Sequence, residues 1–256
     1  MKKNQDLKKI LVNHFDNQGK YSIKNYGSSS FPKSWQEPYK FLENYLKHKD
    51  LKEKFFLDYC CGTGVHSIFP AKFGARVTGI DFSKISIENA KKRALFFEVE
   101  DKCEFILQDA HDTKPDIKKY DFIICIQSLL YLDLKHTFNK LKNLLKDDGE
   151  LIILESISGN YFFDQNRDKN TKNISRQFSH SLKKYNSEEI LNNAKKYFRV
   201  IRENYFGLTT SISFVLEKKL NFPFLNTLFI QLDFFLKKIP FLRKYFFTLA
   251  IVLKKD

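Results

Sequence analysis

LDYCCGTG, residues 57–64, is the stretch on which the reading of this chain turns. It ends an apolar run, FFLDYC (55–60), and opens a helix-like segment near 65–73. Gly62 and Gly64 let a backbone approach a ligand closely, and a helix that starts just after them offers unpaired N–H groups. Such a loop takes a dinucleotide, a triphosphate or an adenosyl sulfonium, or it is only a tight turn. The residues around it have to decide.

Outward from the loop, short apolar runs alternate with helical patterns. Strands are expected at FFLDYC (55–60), RVTGID (76–81), CEFILQD (103–109), YDFIICIQ (120–127) and ELIILES (150–156). Helices are expected near 65–73, 83–98 and 133–146, with start signals in Ser83 and Asp133 and with Gly149 after the third. Continuous apolar strands separated by helices are the pattern of an α/β fold with a parallel sheet covered on both faces. Right-handed crossovers then give a doubly wound sheet, whose ligands sit outside the carboxyl ends of the strands.

The flanks differ from this centre. Residues 1–54 hold two amphipathic pieces, Leu7 to Phe15 and Pro38 to Leu46, joined by YGSSSFPKSW. After residue 156 comes a polar, irregular stretch (157–186), then the helix NSEEILNNAKKY and the strand-like FRVIRENYFG. The apolar segment LNFPFLNTLFIQLDFFLKKIPFLRKYF and a last strand, TLAIVLKK, complete the chain. The expected organisation is one domain: a helical cap (1–54), a core (55–156), and late strands with an apolar helical insertion (157–256).

The 256 residues are 43% hydrophobic and 29% charged, a globular profile with a formal charge of +14. The excess lysine is scattered in short pairs, which reads as a solvated basic surface before it reads as a polyanion site. Cys60, Cys61, Cys103 and Cys125 lie in or beside apolar strands without a CxxC partner or nearby histidine pair, so free thiols are expected and no metal site. No apolar stretch reaches the roughly 20 residues that span a bilayer. The expected compartment is the cytoplasm, with peripheral attachment to the inner membrane surface as a second reading.

Two more acids bear on the loop. Asp81 ends the second strand, where a carboxylate accepts hydrogen bonds from both hydroxyls of a ribose. Asp109, in QDA, ends the third, placed to accept from an adenine amino group. Either aspartate alone is more often a helix cap or loop residue; Asp58, Asp81 and Asp109 at successive strand ends make chance a poor account. NAD(P) is the rival ligand. Gly62, Gly64 and Ser67 approximate GxGxxG, and YLDLK supplies Tyr131 and Lys135 in YxxxK spacing. The late position of the loop and the charge of Asp58 beside a would-be pyrophosphate count against it.

With these motifs in place, the chain resembles the class I S-adenosylmethionine-dependent methyltransferases of small-molecule type, over roughly residues 36–156. LDYCCGTG matches the family's first motif, GIDFS the end of the second strand, QDA the adenine-side motif, and YDFIICIQSLLYL the fourth-strand motif. The resemblance implies a Rossmann-like, seven-stranded, mostly parallel sheet with helices on both faces, and S-adenosylmethionine as cofactor. It implies that Asp58 and the Gly62–Gly64 turn hold the methionine end, that Asp81 takes the ribose, and that Phe82 flanks the adenine. It also implies that Asp109 and Ala110 meet the adenine edge and that Gln127 faces the methyl donor. The chain departs from the pattern at Cys60, where the family has glycine; a side chain there narrows the methionine pocket.

Methyl transfer from a sulfonium is an in-line displacement in which positioning and water exclusion dominate. A base is needed only if the acceptor loses a proton. The candidates are Tyr131, which stands where many relatives carry histidine, His111 after QDA, His180 in the variable stretch, and His14 with Tyr21 in the N-terminal cap. The expected reaction is methylation of a small molecule, on oxygen first, with carbon and nitrogen open. Nucleic-acid methylation is the alternative that the charge raises; IQSLLY stands where an NPPY-type tetrapeptide belongs. A non-catalytic binding protein on the same scaffold is disfavoured by the intact acids. The segment 220–247, with Lys237, Lys238, Arg243 and Lys244 beside its apolar residues, reads first as a helical lid. Its second reading is a membrane-surface helix suited to a lipophilic acceptor.

Overall fold

The computed structural model describes residues 2–18, 23–31, 35–112, 119–174, 176, 179, 182–210 and 224–255. Seven strands form one sheet: β1 (Phe55–Tyr59), β2 (Arg76–Asp81), β3 (Cys103–Leu107), β4 (Tyr120–Ile126), β5 (Leu145–Ser156), β6 (Phe198–Phe206) and β7 (Thr248–Lys255). Their order is β3-β2-β1-β4-β5-β7-β6. Pairing is parallel from β3 through β5, and β7 runs antiparallel to both β5 and β6. The doubly wound, mostly parallel sheet expected from the sequence is therefore the fold.

The apolar runs explain why both faces are covered. Leu57, Tyr59, Ile123, Cys125, Leu151, Ile153, Leu249 and Ile251 point to one core. Phe56, Phe122, Ile124, Ile152, Leu154, Ala250 and Val252 point to the other. The buried Leu, Ile, Val and Phe side chains among them each contribute about 1.5–3 kcal/mol. The second core is closed by α2 (Glu37–Lys47), α3 (Ile68–Lys72) and α4 (Lys84–Phe96), and the first by α5 (Leu134–Leu144) and α7 (Ser187–Ala194). The N-terminal α1 (Lys2–Gln18) packs on α4. Both start signals are real caps: Ser83 Oγ accepts from Ser86 N–H at 3.1 Å, and Asp133 Oδ1 from His136 N–H at 2.9 Å.

Three elements differ from the sequence reading. β5 begins at Leu145, not at Glu150, because the ladder to β4 starts at Tyr120↔Leu145 and then shifts register. Gly149 serves that bulge: a Cβ there would stand 2.8 Å from Leu145 Cγ and 3.0 Å from Tyr120 O. The stretch read as irregular contains α6 (Tyr161–Ile174), entered where Asp164 Oδ2 accepts from Ser158 Oγ and Gly159 N–H, each at 3.0 Å. The apolar segment is not one long helix. Among the described residues, α8 (Phe224–Leu236) stops and a 3-10 turn, Pro240–Tyr245, follows. Pro240 has no N–H for a helix and holds Ile239 extended, at φ −89° and ψ 109°.

Candidate active site

The carboxyl ends of β1 and β2 meet in the 57–64 loop. Gly62 adopts φ +51°, and an added Cβ there would have nothing within 4 Å, so its outer side is open. Its N–H donates to Asp81 Oδ2 at 2.9 Å, and the Ser83 N–H donates to Oδ1 at 2.9 Å. Burial raises the Asp81 pKa, with the N–H groups of Ser83, Gly62 and Phe82 pulling the other way. Asp58 is buried deeper, its Oδ2 accepting from Ser67 Oγ at 2.6 Å, and burial pushes its pKa up to about 7. The Ser67 hydroxyl is thus committed to Asp58.

Gly64 does a different job from Gly62. It sits at φ +70°, and a Cβ there would lie 2.9 Å from Ala90 Cβ and 3.2 Å from Phe105 Cε1. A side chain at position 64 would collide with α4, so glycine there serves packing as well as the turn. The buried Arg93 of α4 locks the loop from below by donating to Thr63 O and, at 2.8 Å, to Thr63 Oγ1.

Cys60 adopts φ +62° and Gln127 φ +52°. A side chain in that left-handed region costs roughly 1–2 kcal/mol. The two lie at the ends of β1 and β4, adjacent strands at the point where the strand order reverses. Gln127 is fixed there: its N–H donates to Leu154 O at 2.8 Å and its Oε1 accepts from Ser156 Oγ at 2.6 Å.

The β3 end is tied down through its backbone. Ala110 O accepts from Tyr59 Oη at 2.7 Å and from Lys140 Nζ at 2.8 Å. Asp109 Oδ1 accepts from the His111 N–H at 3.0 Å and lies 3.0 Å from that residue's Nδ1. His111 is exposed and stabilises the Asp109 turn. Over the β2 end lies α1: Phe15 meets Phe82 edge-on at 5.7 Å and Tyr131 at 5.4 Å, and Asp16 Oδ1 accepts from Ser83 Oγ. His14 meets Phe15 edge-on at 5.1 Å, and burial lowers its pKa, so the ring is neutral at pH 7. His180 and Tyr21 lie outside the described residues.

Beyond Gln127 the edge opens into a cavity of about 130 Å³ between α8 and the ends of the late strands. Tyr39, Phe206, Thr248, Ile230 and Lys237 line it with Gln127. Next to this half lies a residue the sequence reading passed over. Glu155 ends β5 almost fully buried, accepting from Leu129 N–H at 2.6 Å and Ser156 N–H at 3.0 Å. Burial pushes its pKa up to about 7, and the nearby charge of Arg167 opposes the rise. The signal was an acid closing a fully apolar strand, ELIILES, the same signal that singled out Asp58 in FFLDYC. Burial and then the Glu155 charge push the Tyr131 phenol above its usual range. That shift leaves less of the phenolate a base would need and favours Tyr131 as a hydrogen-bond donor.

Residues 50–201, more than half of the chain, match the methyltransferase domain family. The chain is 31% identical over 115 residues to a ubiquinone biosynthesis O-methyltransferase of Coxiella burnetii, covering 44% of this chain and 47% of that protein. It is 30% identical over 117 residues to an uncharacterized methyltransferase of Schizosaccharomyces pombe, covering 43% and 41%. The match thus spans less than half the length of these curated relatives. Among solved structures, geranyl diphosphate C-methyltransferase of Streptomyces coelicolor has TM-score 0.62 at 16% identity, over 85% of this chain and 78% of that one. The [4+2]-cyclase SpnF has TM-score 0.63 at 15% identity over 96% of each chain, so the shared fold by itself does not fix the reaction. The family match and the acids and glycine loop at the strand ends agree: the chain belongs to the methyltransferase domain family, of the class I S-adenosylmethionine-dependent type.

Proposed function

We propose that this chain transfers a methyl group from S-adenosylmethionine to a small apolar acceptor. One observation carries the reading. The open side of Gly62 stands beside Asp81, whose two oxygens are already oriented by backbone N–H groups, at an edge that leads past Gln127 into a largely apolar cavity. The residues fit the cofactor. Asp81 would accept from the ribose hydroxyls, Phe82 would flank the adenine, and Asp109 with Ala110 would meet its edge. Asp58 and the Gly62 backbone would hold the methionine end, and the Cys60 side chain would narrow the space beside it.

When bound, the sulfonium supplies an electrophilic methyl group; the chain's residues supply position and dryness. Gln127, locked by Ser156, would orient the donor end toward the cavity. Phe15 would exclude water at the β2 side. Tyr131 would donate a hydrogen bond to the acceptor, on a turn that Glu155 positions through the Leu129 N–H. An oxygen acceptor is the finer reading, supported by the Coxiella relatives named as O-methyltransferases. Calorimetry with S-adenosylmethionine and with NADH tests the cofactor, and labelled methyl transfer into solvent-extractable product tests the acceptor class. Tight NADH binding without S-adenosylmethionine binding would overturn the reading.

A further inference from the structure

Among the described side chains of α8 the two buried ones are polar, Asn226 at 7% exposed and Asp233 at 6%, beside the half-buried Ile230 and Leu236. Asp233 Oδ1 accepts from Thr209 N–H and Oγ1, both at 2.7 Å, and its Oδ2 accepts from Thr210 Oγ1 at 2.9 Å. The outward face is apolar. Leu228, Leu232 and Phe235, spaced along one side, are exposed, and the turn after the helix extends the patch with Ile239 and Phe241. Phe235 is 62% exposed and Phe241 69%. A surface helix of a globular protein carries the reverse pattern, and a contiguous exposed apolar patch marks a contact site.

The charges around the patch select its occupant. Within 224–245 the bases are Lys237, Lys238, Arg243 and Lys244, and the single acid, Asp233, is buried. Lys237 and Arg243 turn inward, to Asn204 Oδ1 and to Glu203 Oε1. Lys238 and Lys244 are exposed, with Lys238 Nζ 4.9 Å from the centre of the Phe234 ring and Lys244 Nζ 5.0 Å from that of Tyr245. Lysines with stems along an apolar patch and ammonium groups at its rim suit an anionic lipid surface. A second copy of the chain would bring these lysines against each other.

We propose that α8 and the Pro240–Tyr245 turn dock the protein on an anionic lipid bilayer. The inner side of the same helix lines the cavity through Ile230 and Lys237, so docking would place the cavity beside the lipid phase. Entry of the acceptor from the bilayer follows, and that step rests on the reading of an apolar acceptor given above.

The test is flotation of the full chain with vesicles of phosphatidylcholine alone or mixed with phosphatidylglycerol. Two variants accompany it, Leu232→Ser/Phe235→Ser/Phe241→Ser and Lys238→Glu/Lys244→Glu, each checked for folding by its S-adenosylmethionine affinity. The expected result is binding to the anionic vesicles, reduced at least about tenfold on neutral vesicles and in each variant. Failure of the unaltered chain to float, or equal flotation of the folded variants, would overturn the proposal. So would a dimer that the apolar substitutions dissociate while vesicles go unbound. Vesicle binding by a chain that does not take S-adenosylmethionine would instead overturn the proposed function alone.

Discussion

At the ends of β1 and β2, the oxygens of Asp81 are held by backbone N–H groups and the loop between is shaped by two glycines and a buried arginine. At the ends of β4 to β7, hydroxyl side chains add to the backbone donors: Ser156 fixes Gln127, Thr209 and Thr210 hold Asp233, and α8 roofs the cavity. Backbone-held groups suit a ligand whose shape never changes, because the loop geometry, once set, presents the same donors and acceptors. Side-chain-held walls suit a ligand peculiar to one protein, since they change by substitution without disturbing the sheet. On the proposed function, the first half is the cofactor side and the second the acceptor side.

The contrast is broken or sharpened by substitutions on the cofactor side. Asp81→Ala should weaken S-adenosylmethionine binding by about 1–3 kcal/mol, through loss of a charge-assisted acceptor. Unchanged affinity by calorimetry would make Asp81 only a cap. The two glycines should separate. Gly64→Ala combines a contact with Ala90 and a left-handed residue and should lower unfolding free energy in urea by about 2–3 kcal/mol. Gly62→Ala meets open space and should cost about 1 kcal/mol of stability, with the larger loss falling on cofactor affinity. Equal stability losses would mean that the loop packs differently.

The pH dependence follows from Asp58 and Glu155, whose pKa values in the folded chain are each about 7, against ordinary values of 3.8 and 4.5. Between those values the folded chain keeps protons that the unfolded chain has lost, so ligand-free stability should fall as pH rises toward 7. The methionine ammonium favours the ionised Asp58. Cofactor affinity should therefore drop as pH falls through about 7, by up to about 1.4 kcal/mol per unit, and flatten in Asp58→Asn. A profile identical in the variant would remove Asp58 from the methionine end. Cys60→Gly has the smallest expected effect, a gain of about 0–1 kcal/mol as relief of the φ +62° strain is offset by glycine's entropy. A loss in thermal melting would show that the thiol packs usefully.

The acids and glycines of the cofactor half stand out at the ends of continuous apolar strands without any tertiary information, because that signal depends on residue type alone. RVTGID and TLAIVLKK are strands over the full quoted spans, and the Ser83 and Asp133 caps are local hydrogen bonds. What failed were features fixed by distant partners. The early start of β5 depends on a bulge opposite Tyr120. ELIILES carries the same strand-end acid as FFLDYC, but the partner that holds Glu155 buried, the Leu129 N–H, lies on a turn 26 positions away in sequence. The apolar tail is legible in the sequence, but which face it turns outward is fixed by the bonds of Asp233 to Thr209 and Thr210.

The division of the sheet edge is tested most directly by a crystal structure with S-adenosylhomocysteine bound. The account predicts the ribose hydroxyls on Asp81, the adenine between Phe82 and Asp109, and the sulfur facing Gln127 and the mouth of the cavity. An adenosyl group lodged between α8 and the late strands, with Asp81 still bonded only to Gly62 and Ser83, would contradict it.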